Sequence, residues 1–197
     1  MIRFIEETHQ YFVDDVEVPS VSVILGSTIF ANKYANVDEL TLQNAALFGK
    51  GVHKAIETGH TFMLDDIQMD VYRKYLFLIK RKNIKPIKHE IIVHLDTLYA
   101  GTFDMEATVN EFECLCDAKT TYELDFEYLS WQLSLYELAN GRLYDKLYAI
   151  WLPKRKGAEL REIERKTQTE IEMLLTLYYK KKINLDQYYK NLKRRNT

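Results

Sequence analysis

The middle of the chain most restricts what it can become. Residues 88–119 read as three consecutive strands, at about 88–96, 99–108 and 112–119, with helix-patterned segments on both sides. Strands grouped in the centre with helices before and after call for an α/β arrangement, a mixed sheet covered by helices. Before this centre, residues 2–6 and 10–13 alternate as a hairpin, and Asp14-Asp15 makes a further turn. Ser20 is placed to cap a short helix ending near Gly26, and Asn36 or Asp38 to cap a longer one running to about Glu57 and stopped by Gly59. A helix over about 65–82 carries Met69, Tyr72, Tyr75, Leu76 and Ile79 at helical spacing. After the centre come a helix at about 126–139 behind Asp125, strands at 144–152 and 158–164, and helices at about 167–182 and 185–195. With 197 residues and no linker or repeat, one domain spanning 1–197 is expected, its C-terminal part from about 165 being basic and helical.

No apolar run approaches the roughly 18 residues needed to span a bilayer, so no membrane partner is expected. The N-terminal residues lack the apolar core of a signal peptide, which predicts a cytoplasmic protein. The only cysteines, Cys114 and Cys116, fall on one strand two residues apart, a poor geometry for a disulfide, and buried free thiols are expected. The net charge of −2 conceals a division. Residues 1–140 hold 12 Lys+Arg against 22 Asp+Glu, net −10, and residues 141–197 hold 15 against 7, net +8. An acidic centre beside a basic surface for a polyanion has this composition, as do solvated helix faces. Lys80-Arg81-Lys82 with Lys85 and Lys88, and the tail with Lys154-Arg155-Lys156, Lys180-Lys181-Lys182 and Lys193-Arg194-Arg195, are the candidate phosphate tracks. Tyr178, Tyr179, Tyr188 and Tyr189 suit either stacking on unpaired bases or core packing.

Within the central strands, charge stands where charge is normally excluded. If Asn110-Glu111 is a two-residue turn, Val109 pairs with Phe112 and Asp104 falls opposite Asp117. Alternation then puts Asp104, Asp117 and Lys119 on one face, and Phe103, Met105, Cys114, Cys116 and Ala118 on the other. Facing carboxylates repel at such close range, and a bound divalent cation removes the conflict. The alternative is a solvated strand face with Lys119 paired to one aspartate. On the flanking helices, His53 and Glu57 share one face after Gly49 and Gly51, and Gln132 and Tyr136 share another.

In this order the elements resemble the RecB-type, or phage exonuclease, branch of the PD-(D/E)XK nuclease superfamily. The resemblance rests on Gly49 or Gly51 with His53 and Glu57, Gly101 with Asp104, Asp117 with Lys119, and Gln132 with Tyr136. Tyr11-Phe12-Val13 followed by Pro19-Ser20-Val21 resembles the opening of small phage and bacterial members, and the likeness covers most of residues 9–140. It implies a restriction-endonuclease-like fold and hydrolysis of DNA phosphodiester bonds with Mg²⁺ or Mn²⁺, most simply as an exonuclease in recombination, repair or phage DNA processing. It implies His53, Asp104, Asp117 and the backbone carbonyl of Ala118 as metal ligands, with Glu57 in an outer or second-metal role. Lys119 would act on the attacking water, and Gln132 and Tyr136 would position Lys119 or a phosphate. Two cysteines are too few for the iron–sulfur cluster of some branches, so no cluster is expected. A bacterial or phage protein acting on single- or double-stranded DNA ends, with an annealing protein or helicase as partner, fits this picture. A non-catalytic nucleic-acid- or protein-binding module on the same fold is the alternative.

Overall fold

The computed structural model describes residues 1–195. Its centre is a five-stranded mixed sheet in the order β4-β5-β6-β7-β8, comprising β4 (Ile84–Leu95), β5 (Tyr99–Val109), β6 (Phe112–Lys119), β7 (Lys146–Trp151) and β8 (Glu159–Ile163). The β6–β7 pair is parallel, because α4 (Phe126–Asn140) carries the chain back across the sheet, and the other neighbours are antiparallel. A separate antiparallel sheet of β1 (Ile2–Ile5), β2 (Gln10–Val13) and β3 (Val16–Val18) precedes it. This is the expected α/β class. The third short strand, after the Asp14-Asp15 turn, extends the expected hairpin, and β4 begins four residues earlier than its pattern suggests. Its early part contains Pro86, which an edge strand tolerates, and the register shifts between Pro86 and Lys88.

Helix boundaries follow from side-chain caps. Ser20 accepts from Val23 N–H at the start of α1 (Val21–Ser27), and Asp38 does the same from Thr41 for α2 (Glu39–Thr58), which Gly59 ends at φ 72°. Asp65 and Gln68 form a reciprocal capping box on α3 (Asp66–Arg81), and Asp125 caps α4, which Gly141 closes. Two further helices follow, α5 (Gln168–Tyr179) and α6 (Asp186–Arg195). No helix among the described residues is long and apolar enough to cross a membrane.

Two hydrophobic cores cover the two faces of the main sheet. One joins α1, α4 and α5 with Phe103, Leu115, Leu147 and Ala149; the other joins α2 and α3 with Met105, Ala107, Cys114, Cys116 and Ile150. On α3 the buried face is Val71, Tyr75 and Leu78, while Leu76 is exposed, so the apolar stripe lies one residue away from part of its expected position. Cys114 and Cys116 are buried free thiols, as expected. Tyr178, Tyr188 and Tyr189 pack against the first core, and the Tyr179 and Tyr188 hydroxyls donate to Leu98 and Asp96, so these tyrosines are structural rather than free stacking platforms. The tail side chains from Lys193 onward lie outside the described residues.

Candidate metal centre

The candidate centre forms where the β5–β6 hairpin comes apart. Asn110 and Glu111 have φ of 49° and 74°, the left-handed pair required by a two-residue hairpin turn, and Val109 pairs with Phe112 as expected. The ladder runs back to Met105 with Cys116 and ends there. Asp104 and Asp117 are one step beyond the last pair. In place of a ladder bond, the Asp104 carboxylate accepts from the Ala118 N–H at 2.6 Å.

Strict alternation also fails at this point, against expectation. Phe103 packs in the α4-side core and Met105 in the α2/α3-side core, so two residues that should share a face lie on opposite ones. The strand on the other flank breaks at the same level. His89 pairs with Met105 and Ile91 with Phe103, but the intervening Glu90 and Asp104 are unpaired, and Glu90 has φ of 50°. The joint irregularity frees two facing carboxylates from the pleat and turns them to the α2 side.

There they meet His53. Its Nδ1 lies 3.1 Å from Asp104 Oδ1, and one ligand atom from each of His53, Glu90 and Asp104 lies within 4.8 Å of the others. Glu90 is the residue that motif reading missed. Its signal was available once the turn after Leu95 is taken to pair Leu95 with Tyr99, which sets Glu90 against Asp104. The site opens into a cleft of about 590 Å³ between α2, the sheet and the first hairpin, lined by Gly49, Lys50, Glu57 and Thr102 among others. Glu57 reaches this cleft but pairs with Lys54 at 2.8 Å and stands outside the three-residue group.

Asp117 and Lys119 form an ion pair beside this group. Asp117 is 3% exposed. Burial drives its carboxyl up to about 6, Lys119 opposes the rise, and the charge of Asp104 adds to it. Burial acts against the charge of Lys119, but Asp117 and Asp104 outweigh it and hold the amine protonated, above its ordinary range. His53 is depressed by burial, yet Asp104 more than compensates and raises it to about 9. Burial likewise pushes Asp104 up, and His53 with Lys119 and the Ala118 N–H reverse that and leave it low. Glu90 is raised to about 7 by burial and by Asp104.

The helix α4 supplies the remaining expected pair. Gln132 Nε2 donates to the Tyr136 hydroxyl at 3.1 Å, both side chains are buried, and Gln132 Oε1 has no hydrogen-bond partner among the described residues. Burial raises Tyr136 well above its ordinary range, and the charge of Asp117 adds to the shift. Gly101 makes this packing possible. A Cβ built on it would sit 2.5 Å from Tyr136 Cε1. At Gly51 a Cβ would crowd the amide end of Gln68, whose Nε2 donates to the Phe48 carbonyl, so a side chain there would displace that contact.

An imidazole and two carboxylates converging from three elements, with a third carboxylate adjacent, form a donor set suited to a hard divalent cation such as Mg²⁺ or Mn²⁺. The Ala118 contact to Asp104 in this structure is through its N–H.

No family model and no curated protein matches this chain. Among solved structures it is similar to one described as the crystal structure of SSO0001, at 12% identity and a TM-score of 0.46, over 85% of this chain and 75% of that chain.

Proposed function

We propose that the chain is a metal-dependent deoxyribonuclease of the RecB-type PD-(D/E)XK branch, acting as an exonuclease on DNA ends. The observation that carries this reading is the convergence of His53, Glu90 and Asp104 beside the Asp117–Lys119 ion pair. His53, Glu90 and Asp104 would hold Mg²⁺ or Mn²⁺, with Asp117 and the Ala118 carbonyl as the further oxygen donors that the resemblance implies. When bound, the ion supplies Lewis acidity to a phosphate oxygen and a polarised water.

The chain's own groups do the rest. Lys119, kept protonated by two aspartates, presents a fixed positive charge and N–H donors to a transferring phosphate. Without a metal it is a cation and a donor to water. Asp117 holds its ammonium in place. Gln132 and Tyr136 form a buried polar pair on α4 whose Gln132 Oε1 is unpartnered among the described residues, and they would take the role the resemblance implies, positioning Lys119 or a phosphate. His53 and Asp104 restrain each other, so the imidazole is oriented before any ligand arrives.

The test is incubation of linear single-stranded DNA, linear duplex and a closed circle with Mn²⁺ or with EDTA. Cleavage of the linear forms in Mn²⁺ alone, with the circle spared, is the expected result. Asp117→Asn should abolish it while the protein remains folded, and Lys119→Ala should slow it on the order of 10²-fold or more. Metal-independent binding without cleavage would instead favour the non-catalytic module, and wild-type rates in both variants would remove the site.

A further inference from the structure

A second cavity, of about 310 Å³, adjoins the cleft on the other side of α2. Its walls are Phe48 on the helix, Thr120 to Tyr122 directly after Lys119, and the turn Pro153 to Lys156 after β7. Helix α2 presents Gly49 and His53 to the first cleft and Ala45 and Phe48 to this pocket. The divide between them is thin, because a Cβ added to Gly49 would lie 3.3 Å from Thr120 Oγ1. The two cavities therefore flank the strand end that carries Lys119.

The pocket combines flat apolar surface with unneutralised positive charge. Lys154 Nζ lies 3.8 Å above the Phe48 ring, and Lys156 Nζ lies 5.6 Å from both the Tyr122 and Trp151 rings. Tyr122 is 73% exposed, and the Trp151 indole N–H donates to the Thr121 carbonyl, which leaves the ring edge-anchored. Among the described residues, Lys154, Arg155 and Lys156 make no ion pair with a carboxylate, whereas Lys146 and Arg161 each make one and Lys166 makes two. An exposed aromatic ring beside three unneutralised cations suits a ligand with a planar apolar face and adjoining negative charge.

We propose that this pocket takes an unpaired nucleotide from the strand whose phosphate enters the neighbouring cleft. Its base stacks on Tyr122, and its phosphates meet Lys154, Arg155 and Lys156. The proposal rests on the nuclease reading and deepens it. A base held in a duplex has both faces stacked and cannot enter, so the substrate is a single strand or a frayed end.

The probe is a labelled oligodeoxythymidylate of about 12 nucleotides, compared with a duplex of the same length, with anisotropy read in EDTA so that nothing is cut. Tyr122→Ala is expected to weaken single-strand binding about tenfold and to leave duplex binding unchanged, with Tyr122→Phe restoring it. Replacing Lys154, Arg155 and Lys156 together by alanine should flatten the slope of log affinity against log salt by about 2, the loss of three phosphate contacts on a single strand. Equal losses for single strand and duplex, or no loss with either variant, overturn the proposal. Cleavage assays separate the two readings. Binding that depends on Tyr122 in a protein that never cleaves would leave the pocket standing and remove the nuclease, and Mn²⁺-dependent cleavage without Tyr122-dependent binding would do the reverse.

Discussion

At the scale of single residues, Gly101 and Tyr136 explain why two separate sequence signals belong together. Gly101 starts the run to Asp104, and Tyr136 ends the run from Gln132, yet the missing Cβ of one is the space occupied by the ring of the other. The ring is also confined by Phe103, 6.1 Å away between centroids, so it cannot yield without moving the core. Gly101→Ala should therefore destabilise the protein by about 1–3 kcal/mol, the usual cost of overpacking, and should disturb the Gln132–Tyr136 bond. Urea unfolding of the variant checks the first effect and the near-ultraviolet tyrosine signal the second. An unchanged midpoint would mean that the ring has room to retreat. In the sequence this glycine reads only as part of a motif. Its steric reason lies 35 residues away and appears only when β5 and α4 are stacked.

Among the elements, the helices were the most legible because their ends are written locally. Ser20, Asp38 and Asp125 each accept a backbone N–H three residues on, and such caps need no knowledge of the tertiary fold. The hairpin register was legible for the same reason, since Asn110-Glu111 leaves few ways to join two strands. The turn is nevertheless chemically imperfect, for Glu111 holds φ of 74° where glycine is at ease. Glu111→Gly should stabilise the hairpin by about 0.5–1 kcal/mol, observed as a higher denaturant midpoint with an unchanged slope. A lower midpoint would show that the Glu111 side chain contributes more than its backbone costs. The break at Glu90 and Asp104 was not legible. Alternation is a rule for intact ladders, and it places Phe103 with Met105, whereas the structure separates them and thereby frees two carboxylates. The candidate centre thus lies where the periodic rule fails, and Glu90 went unseen because the motif describes one flank of the break only.

Across the whole molecule, the centre couples stability to pH and to metal. Asp117 and Glu90 are raised in the folded chain to about 6 and about 7, so each favours folding while protonated in both states. That contribution is complete below their ordinary values, of 3.8 and 4.5, and is lost as pH rises through the folded ones. His53, raised from 6.5 to about 9, follows the same sign over a higher window and loses its contribution between those values. Asp104 is lowered and acts oppositely, losing its contribution only as the solution becomes acid enough to protonate it. In EDTA, these groups together should make the protein less stable from about pH 5 to pH 9. A divalent cation reverses the trend, because it binds the deprotonated donors and replaces the protons they shed. The rise in Tm produced by Mn²⁺ should accordingly grow between about pH 5 and pH 8, and should shrink in Glu90→Gln at the upper end. Thermal unfolding across that range, with and without Mn²⁺, measures both quantities. A metal shift independent of pH would mean that the ion binds away from His53, Glu90 and Asp104. A shift that keeps its full size in Glu90→Gln would return the site to the donors that motif reading alone had named.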